Sequence, residues 1–204
     1  MNNFGLVVIG AHHGFWLQDE IKNNCKNILL IEPVPYNFLQ LKERYRNFSN
    51  IFFEQNFIGD TNSQISFFFV KEDSIAELGK HWASGIGSFS KKHILNHKSK
   101  RFNIKDNDIN EIQIQSITFN ELCEKYNITI IDKLLIDVEG AEKKIIESID
   151  YKKILIKELI FEYKHLDGNF IFNNNLKKII KFLNNKGFKE TSRDKENITF
   201  NKIV

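Results

Sequence analysis

Leu6-Val7-Val8-Ile9-Gly10-Ala11-His12-His13-Gly14 and Asn27-Ile28-Leu29-Leu30-Ile31-Glu32-Pro33 are the stretches that decide the fold. Each opens as an unbroken apolar run and closes on a glycine or an acid, and a helix-length segment from about 13 to 23 lies between them. Unbroken apolar runs, unlike alternating ones, suit parallel strands covered on both faces. The same strand-helix-strand order continues outward. Pro35 to Arg46 carries Phe38, Leu41 and Tyr45 at helical spacing, and Ile51-Phe52-Phe53 makes a third strand. Lys133 to Asp137 is a fourth strand, Ala141 to Ile149 a helix, and Ile154 to Phe161 a fifth strand. The alternation predicts a doubly wound, Rossmann-like α/β sheet.

Two regions break the alternation. Residues 64 to 116 hold Ile65-Ser66-Phe67-Phe68-Phe69-Val70, a Gly/Ser-bearing basic loop, and the strictly alternating Glu111 to Ile117, which reads as an antiparallel, half-exposed strand. This is an insertion after the third strand. Near the C-terminus a helix from Leu176 to Lys186 stops at Gly187, and Phe188 to Thr191 and Ile198 to Lys202 then form a hairpin that supplies an antiparallel edge. With no repeat, heptad run or Pro-rich linker, one domain over residues 1 to 204 is expected.

Of the 204 residues, 42% are hydrophobic and 27% charged, which excludes disordered, collagen-like and disulfide-rich classes. A chain of this length buries roughly 70% of its unfolded surface and needs no staple. Cys25 and Cys123 lie far apart in unlike contexts, so both read as packing residues in a reducing compartment. No apolar stretch reaches membrane-span length and no export signal is visible, so a cytoplasmic location is expected. The net charge of +3 is unevenly spread. Between Glu77 and Asp106 there is no acid, whereas Lys80, Lys91, Lys92, Lys98, Lys100, Arg101 and Lys105 are all basic. This block points to an anionic partner at one place.

The chemistry gathers at strand ends. The spacing Gly10-x-x-x-Gly14 lets backbone approach a ligand and offers N–H groups at a helix start. It lacks the third glycine of the dinucleotide fingerprint, which disfavours a nicotinamide cofactor. Glu32, at the end of the second strand, is placed to accept hydrogen bonds from ribose hydroxyls. Asp137, Glu139 and Glu142 follow the fourth strand and Glu162 ends the fifth, on the same ligand-binding edge. A charge at the end of a buried strand is costly unless paired or facing a wet cleft. Glu142 also reads as a first-turn acid on a helix dipole. No ligand spacing demands a metal, and none is expected.

Gly10-Ala11-His12-His13-Gly14, Ile31-Glu32-Pro33-Val34-Pro35, Asn56-Phe57-Ile58-Gly59-Asp60, Ile117 to Leu122, Ile131 to Glu142 and the late Glu162 together resemble the FkbM family of class I methyltransferases. The resemblance runs from about residue 5 to the C-terminus, and Asp137-Val138-Glu139-Gly140-Ala141-Glu142 is its most specific piece. It implies a seven-stranded sheet with an antiparallel terminal strand and S-adenosylmethionine as cofactor. It further implies that Gly10, Ala11 and Gly14 form the cofactor loop, that Glu32 holds the ribose, and that Asp137 and Glu139 flank the reacting centre. His12, Pro33, Asn56 and Asp137 complete the expected cofactor contacts. The chain departs from the family pattern at Val8, His12, Asn120 and Leu135, where Asp, Asn, Asp and Lys are usual.

O-methylation of a hydroxyl on a sugar, glycan or related small molecule is the leading expectation. Asp137, Glu139 and His12 are the catalytic candidates, with His13 and His165 behind them. Ser88, Lys91, Lys92, Arg101 and Glu162 are expected to bind the acceptor. Ser84 to Ser88 would supply backbone N–H groups there, and Trp82, Phe89 and Phe102 would supply flat faces for an anionic sugar or a nucleotide-linked sugar. Two alternatives are methylation of RNA or a nucleotide through the basic insertion, and a binding module of the same fold without catalysis.

Overall fold

The computed structural model describes residues 2–79, 81–96, 103–164, 166 and 174–203. Of the residues singled out above, Lys80, Lys98, Lys100, Arg101, Phe102 and His165, with the Trp82 side chain, lie outside the described set.

In chain order the first elements are β1 (Asn2–Ile9), α1 (Gln18–Lys22), β2 (Asn27–Ile31), α2 (Pro35–Tyr45) and β3 (Ile51–Glu54). Next come β4 (Phe57–Gly59), β5 (Ser63–Val70), α3 (Glu72–Leu78), β6 (Gly87–Ser88), α4 (Lys91–Asn96), β7 (Ile109–Thr118) and α5 (Phe119–Lys125). The chain closes with β8 (Ile128–Ile136), α6 (Glu142–Ser148), β9 (Leu155–Glu162), α7 (Asn174–Asn185), β10 (Phe188–Arg193) and β11 (Asn197–Lys202). The main sheet has seven strands in the order β10-β11-β9-β8-β1-β2-β3. Strands β3, β2, β1, β8 and β9 pair in parallel. β11 runs antiparallel to both β9 and β10. The antiparallel strand of the C-terminal hairpin therefore sits one place in from the edge, and β10, the edge strand, runs with the parallel body.

The apolar runs are buried on both faces as their lack of alternation requires. Val7, Ile9, Leu29 and Ile31 face a large core with Leu122, Ile145, Ile179 and Leu183 of α5, α6 and α7. Leu6, Val8, Ile28 and Leu30 face a smaller one with Leu17, Ile21, Leu41 and Tyr45. The segment expected to be one helix from 13 to 23 is a 3-10 turn at Phe15–Leu17 followed by the five-residue α1.

The insertion builds a second sheet, β4-β7-β5-β6, with its own small core around Val70, Ile86, Ile94, Ile104 and Ile109. β5 pairs antiparallel along its whole length with residues 109 to 116 of β7, as the alternation of Glu111 to Ile117 indicates. The sheet also takes in β4, which lies ahead of the expected insertion boundary and pairs in parallel with β7. Cys123 is buried, whereas Cys25 is exposed rather than a packing residue. Among the described residues no helix is long and apolar enough to cross a membrane.

Candidate functional site

Strand order reverses on either side of β1, and the crevice beyond the C-terminal ends of β1 and β8 is where open α/β sheets bind ligands. The two strand ends are clasped there: Asp137 N–H donates to Ile9 O at 2.9 Å. Gly10 sits at φ 88°, and a Cβ on it would fall 1.7 Å from Asp137 O, so only glycine permits this approach. The turn after β1 uses its N–H groups internally. Gly10 and Ala11 donate to Ile31 O at 3.0 and 2.9 Å, and Gly14 donates to Ala11 O at 3.0 Å. At Gly10, Ala11 and Gly14 the N–H groups are thus spent within the fold, and the bend contributes shape. Ala11 is fully buried and Gly14 packs on Leu41 and Tyr45, so of the three only Gly10 lines the cleft.

Glu32 is almost wholly buried at the β2 end. Oε2 accepts the His12 N–H and Oε1 the Val34 N–H, both at 2.8 Å. Burial outweighs these bonds and pushes its pKa up to about 7. His12 takes a left-handed conformation, φ 53°, which is rare for a residue with a side chain. Its Nε2 lies 2.6 Å from Ser84 Oγ, so a residue of the insertion closes over the acid. Ser84 is anchored in turn by Asn37, whose Nδ2 donates to Ser84 O at 2.7 Å.

At the β8 end Glu139 is also left-handed, φ 56°, followed by Gly140 at φ 110°. Strain of this kind persists where surrounding contacts enforce it, often at functional sites. The enforcing group is Glu142, fully buried, which accepts N–H bonds from Val138 at 3.0 Å and from Gly140 at 3.0 and 3.2 Å. Burial, with a further push from Glu162, raises its pKa to about 7 despite those bonds. Glu142 is therefore a loop organiser as well as a first-turn acid. Asp137, Glu142 and Glu162 bring carboxylate oxygens within 4.8 Å of one another. By spacing alone they could hold a hard cation, although much of Glu142 is committed to backbone. His93 of α4 brings Nε2 to 3.8 Å from Glu139 Oε2.

The open cleft has a volume of about 640 Å³, within the roughly 300–1,000 Å³ of small-molecule sites. It joins Gly10, His12, Glu32, Asp137 and Glu139, the heart of the expected site. Pro33 and Asn56 instead border an adjoining hollow of about 30 Å³, which shares Glu32 and Asp137 with the cleft. The expected acceptor residues that are described do not line the cleft. Lys91 pairs with Asp106 at 2.8 Å, Lys92 is exposed on α4, and Ser88 is buried with its Oγ accepting Ser90 N–H. Glu162 is buried beside Asp137 rather than on the cleft wall. Sequence reasoning missed Phe15, Trp16, Asp194, Asn197 and Thr199, which form the remaining walls. Two adjacent aromatics, Phe15 and Trp16, directly after Gly14 were the available signal.

Three departures from the family pattern have structural accounts. Val8 is fully buried in the smaller core, where an acid would lack a partner. Asn120 donates to Ser148 O and accepts the Asp150 N–H, both at 2.9 Å, and an ionised Asp could make only the second bond. Leu135 gives the cleft an apolar floor.

A seven-stranded sheet with one antiparallel strand and a carboxylate-edged crevice at the strand-order reversal define a class I S-adenosylmethionine-dependent methyltransferase. The pattern of the Methyltransferase FkbM domain matches residues 9–190, and the chain belongs to that family. S-adenosylmethionine is its cofactor. Among curated proteins none matches the chain in sequence. Among solved structures it is similar to the fibrillarin pre-rRNA processing protein of Methanococcus jannaschii, with a TM-score of 0.51 and 13% identity over 98% of this chain and 66% of that one. Aeropyrum pernix fibrillarin, solved with natively bound S-adenosylmethionine, gives 0.48 and 14% over 98% and 66%. The ribosomal protein L11 methylase of Lactobacillus delbrueckii subsp. bulgaricus gives 0.45 and 11% over 100% and 72%. The chain thus spans just under two thirds of either fibrillarin. The first of these likenesses supports the fold alone. The residues present fit the cofactor: a buried carboxylate can take ribose hydroxyls at one end, and carboxylates at the other suit an ammonium.

Proposed function

We propose that the protein methylates a hydroxyl oxygen on a sugar, glycan or related small molecule. The observation that carries this reading is the pair of left-handed residues, His12 and Glu139, facing one cleft beside the buried Glu32. Bound, S-adenosylmethionine supplies an electrophilic methyl group on a sulfonium. Glu32, fixed by two N–H groups, keeps lone pairs for ribose hydroxyls. Asp137 and Glu139 stand where an acceptor hydroxyl would enter, and Glu139 is the candidate to take its proton, with His93 close enough to share the charge. Holding the acceptor in line can contribute on the order of 7–11 kcal/mol, and a placed base about 10²–10⁴ in rate. The His12 ring, engaged with Ser84, serves better as a clasp than as a base.

The test is transfer of isotope-labelled methyl from S-adenosylmethionine to a panel of sugars and glycans, read by mass spectrometry. Glu139→Gln should lower kcat about 10²-fold or more with KM for the cofactor little changed. Unlabelled acceptors throughout the panel, from protein that binds the cofactor, would remove the reading and favour a non-catalytic module. Methylation of RNA remains the second reading, carried by the basic insertion. It requires salt-sensitive RNA binding that charge reversal at Lys91 and Lys92 weakens.

A further inference from the structure

The far walls of the 640 Å³ cleft carry a chemistry unlike that of the basic insertion. Phe15 is 61% and Trp16 44% exposed, a large apolar area left in water beside the cofactor turn. The turn that carries the pair is anchored on both sides. Left-handed Gly14, φ 76°, starts the 3-10 turn, and Leu17 is buried behind it. The Arg44 guanidinium sits 5.3 Å from the Phe15 ring centre while its Nε donates to His13 O at 2.9 Å. Facing them are Asp194, Asn197 and Thr199, from the β10–β11 turn and strand β11. Asp194 Oδ1 accepts the N–H groups of Glu196 at 2.8 Å and Asn197 at 2.7 Å. These bonds hold its pKa below the usual carboxylate value and fix it as an acceptor with lone pairs to spare. Leu135 and Ile160, cross-strand partners on β8 and β9, floor the gap, and Thr199 pairs with Ile160 beside them.

The charge of the cleft is one-sided. Among its described lining residues are Glu32, Asp137, Glu139 and Asp194, with no lysine or arginine. A phosphate or carboxylate placed here would meet like charge at these four acids, against which the described lining sets the His12 and His13 rings, with Arg44 at the Phe15 ring. An aromatic platform facing hydroxyl, amide and carboxylate groups suits a ring with C–H faces and hydroxyl edges.

We infer that the acceptor is an uncharged sugar ring, stacked on Trp16 and Phe15 and hydrogen-bonded by Asp194, Asn197 and Thr199. This rests on the methyltransferase reading above and replaces the anionic acceptor expected from the insertion. The probes are the methyl glycosides of glucose, mannose, rhamnose and fucose, with glucose 6-phosphate and polyuridylate as anionic rivals. Each is tested by saturation-transfer NMR on protein saturated with S-adenosylhomocysteine, whose own binding is followed by calorimetry. At least one neutral glycoside should bind and neither rival should. Trp16→Ala should weaken the glycoside about tenfold or more, the scale of a lost stacking ring. Thr199→Val, which keeps the shape, should weaken it several-fold. Both variants should hold S-adenosylhomocysteine within about threefold of the parent. Binding of glucose 6-phosphate or polyuridylate in place of the glycosides would overturn the inference. So would an unchanged glycoside signal in Trp16→Ala, or no glycoside signal from protein that binds S-adenosylhomocysteine. Failure to bind S-adenosylhomocysteine would instead sink the cofactor reading, and this inference with it.

Discussion

Glu32 has both oxygens tied to backbone N–H groups and yet keeps a pKa of about 7, because burial penalises the charge more than the bonds reward it. A ribose needs the ionised acceptor, so affinity for S-adenosylmethionine should rise with pH up to about 7 and then level off. Below that point it should fall by up to about tenfold per pH unit. Calorimetry from pH 5.5 to 8.5 checks this, and a flat profile would count against ribose binding at Glu32. Gly10 makes a second residue-scale prediction. Because a Cβ would lie 1.7 Å from Asp137 O at a positive φ, Gly10→Ala should cost at least about 2 kcal/mol in urea unfolding. Glu32, Asp137 and Glu139 were legible in the sequence because an acid directly after a buried apolar run must face a cleft or a partner. Asp194 was not, since its meeting with Trp16 across the cleft joins residues from opposite ends of the chain.

At the scale of elements, β1, β2, β3 and β8 could be read because each carries an unbroken apolar run, the β10–β11 hairpin because Gly187 and a polar turn mark it out, and β7 because it alternates. The three-residue β4 gave no such signal: its partner β7 lies far along the chain, and only that pairing defines it. Helix α5 was readable and overlooked. Thr118 and Glu121 form a reciprocal capping box, Thr118 Oγ1 accepting Glu121 N–H and Glu121 Oε2 accepting Thr118 N–H. Thr118→Ala should therefore cost about 1 kcal/mol by urea unfolding. The second sheet touches the cofactor turn through Ser84 and His12. Ser84→Ala should speed hydrogen exchange over residues 84 to 88 and leave the β1–β8 pairing as protected as before. Unchanged exchange would mean that the bonds from Asn37 and Tyr36 to Ser84 O hold that loop down.

For the molecule as a whole, Glu32 and Glu142 pull stability in the direction opposite to ordinary acid denaturation. Both are buried acids whose pKa is raised from 4.5 to about 7. The folded state binds their protons more tightly than the unfolded state, so stability is greatest below about 4.5 for these two groups and is lost as pH rises to about 7. The loss is on the order of 3 kcal/mol for each. Asp132, whose pKa Lys157 and Lys26 hold down, acts the other way and only below about pH 4. The Tm should thus fall between pH 5 and pH 8, measurable by scanning calorimetry, and a rising Tm over that range would show that neither acid is buried as described. Stability given up at Glu32 is consistent with a site kept for a ligand. The most direct measurement of that idea is titration of S-adenosylmethionine into the protein and into Glu32→Ala at pH 8. Binding by the parent that weakens at least about tenfold in the variant is the predicted result. No binding by the folded parent at millimolar cofactor, or equal affinity in both proteins, would contradict it.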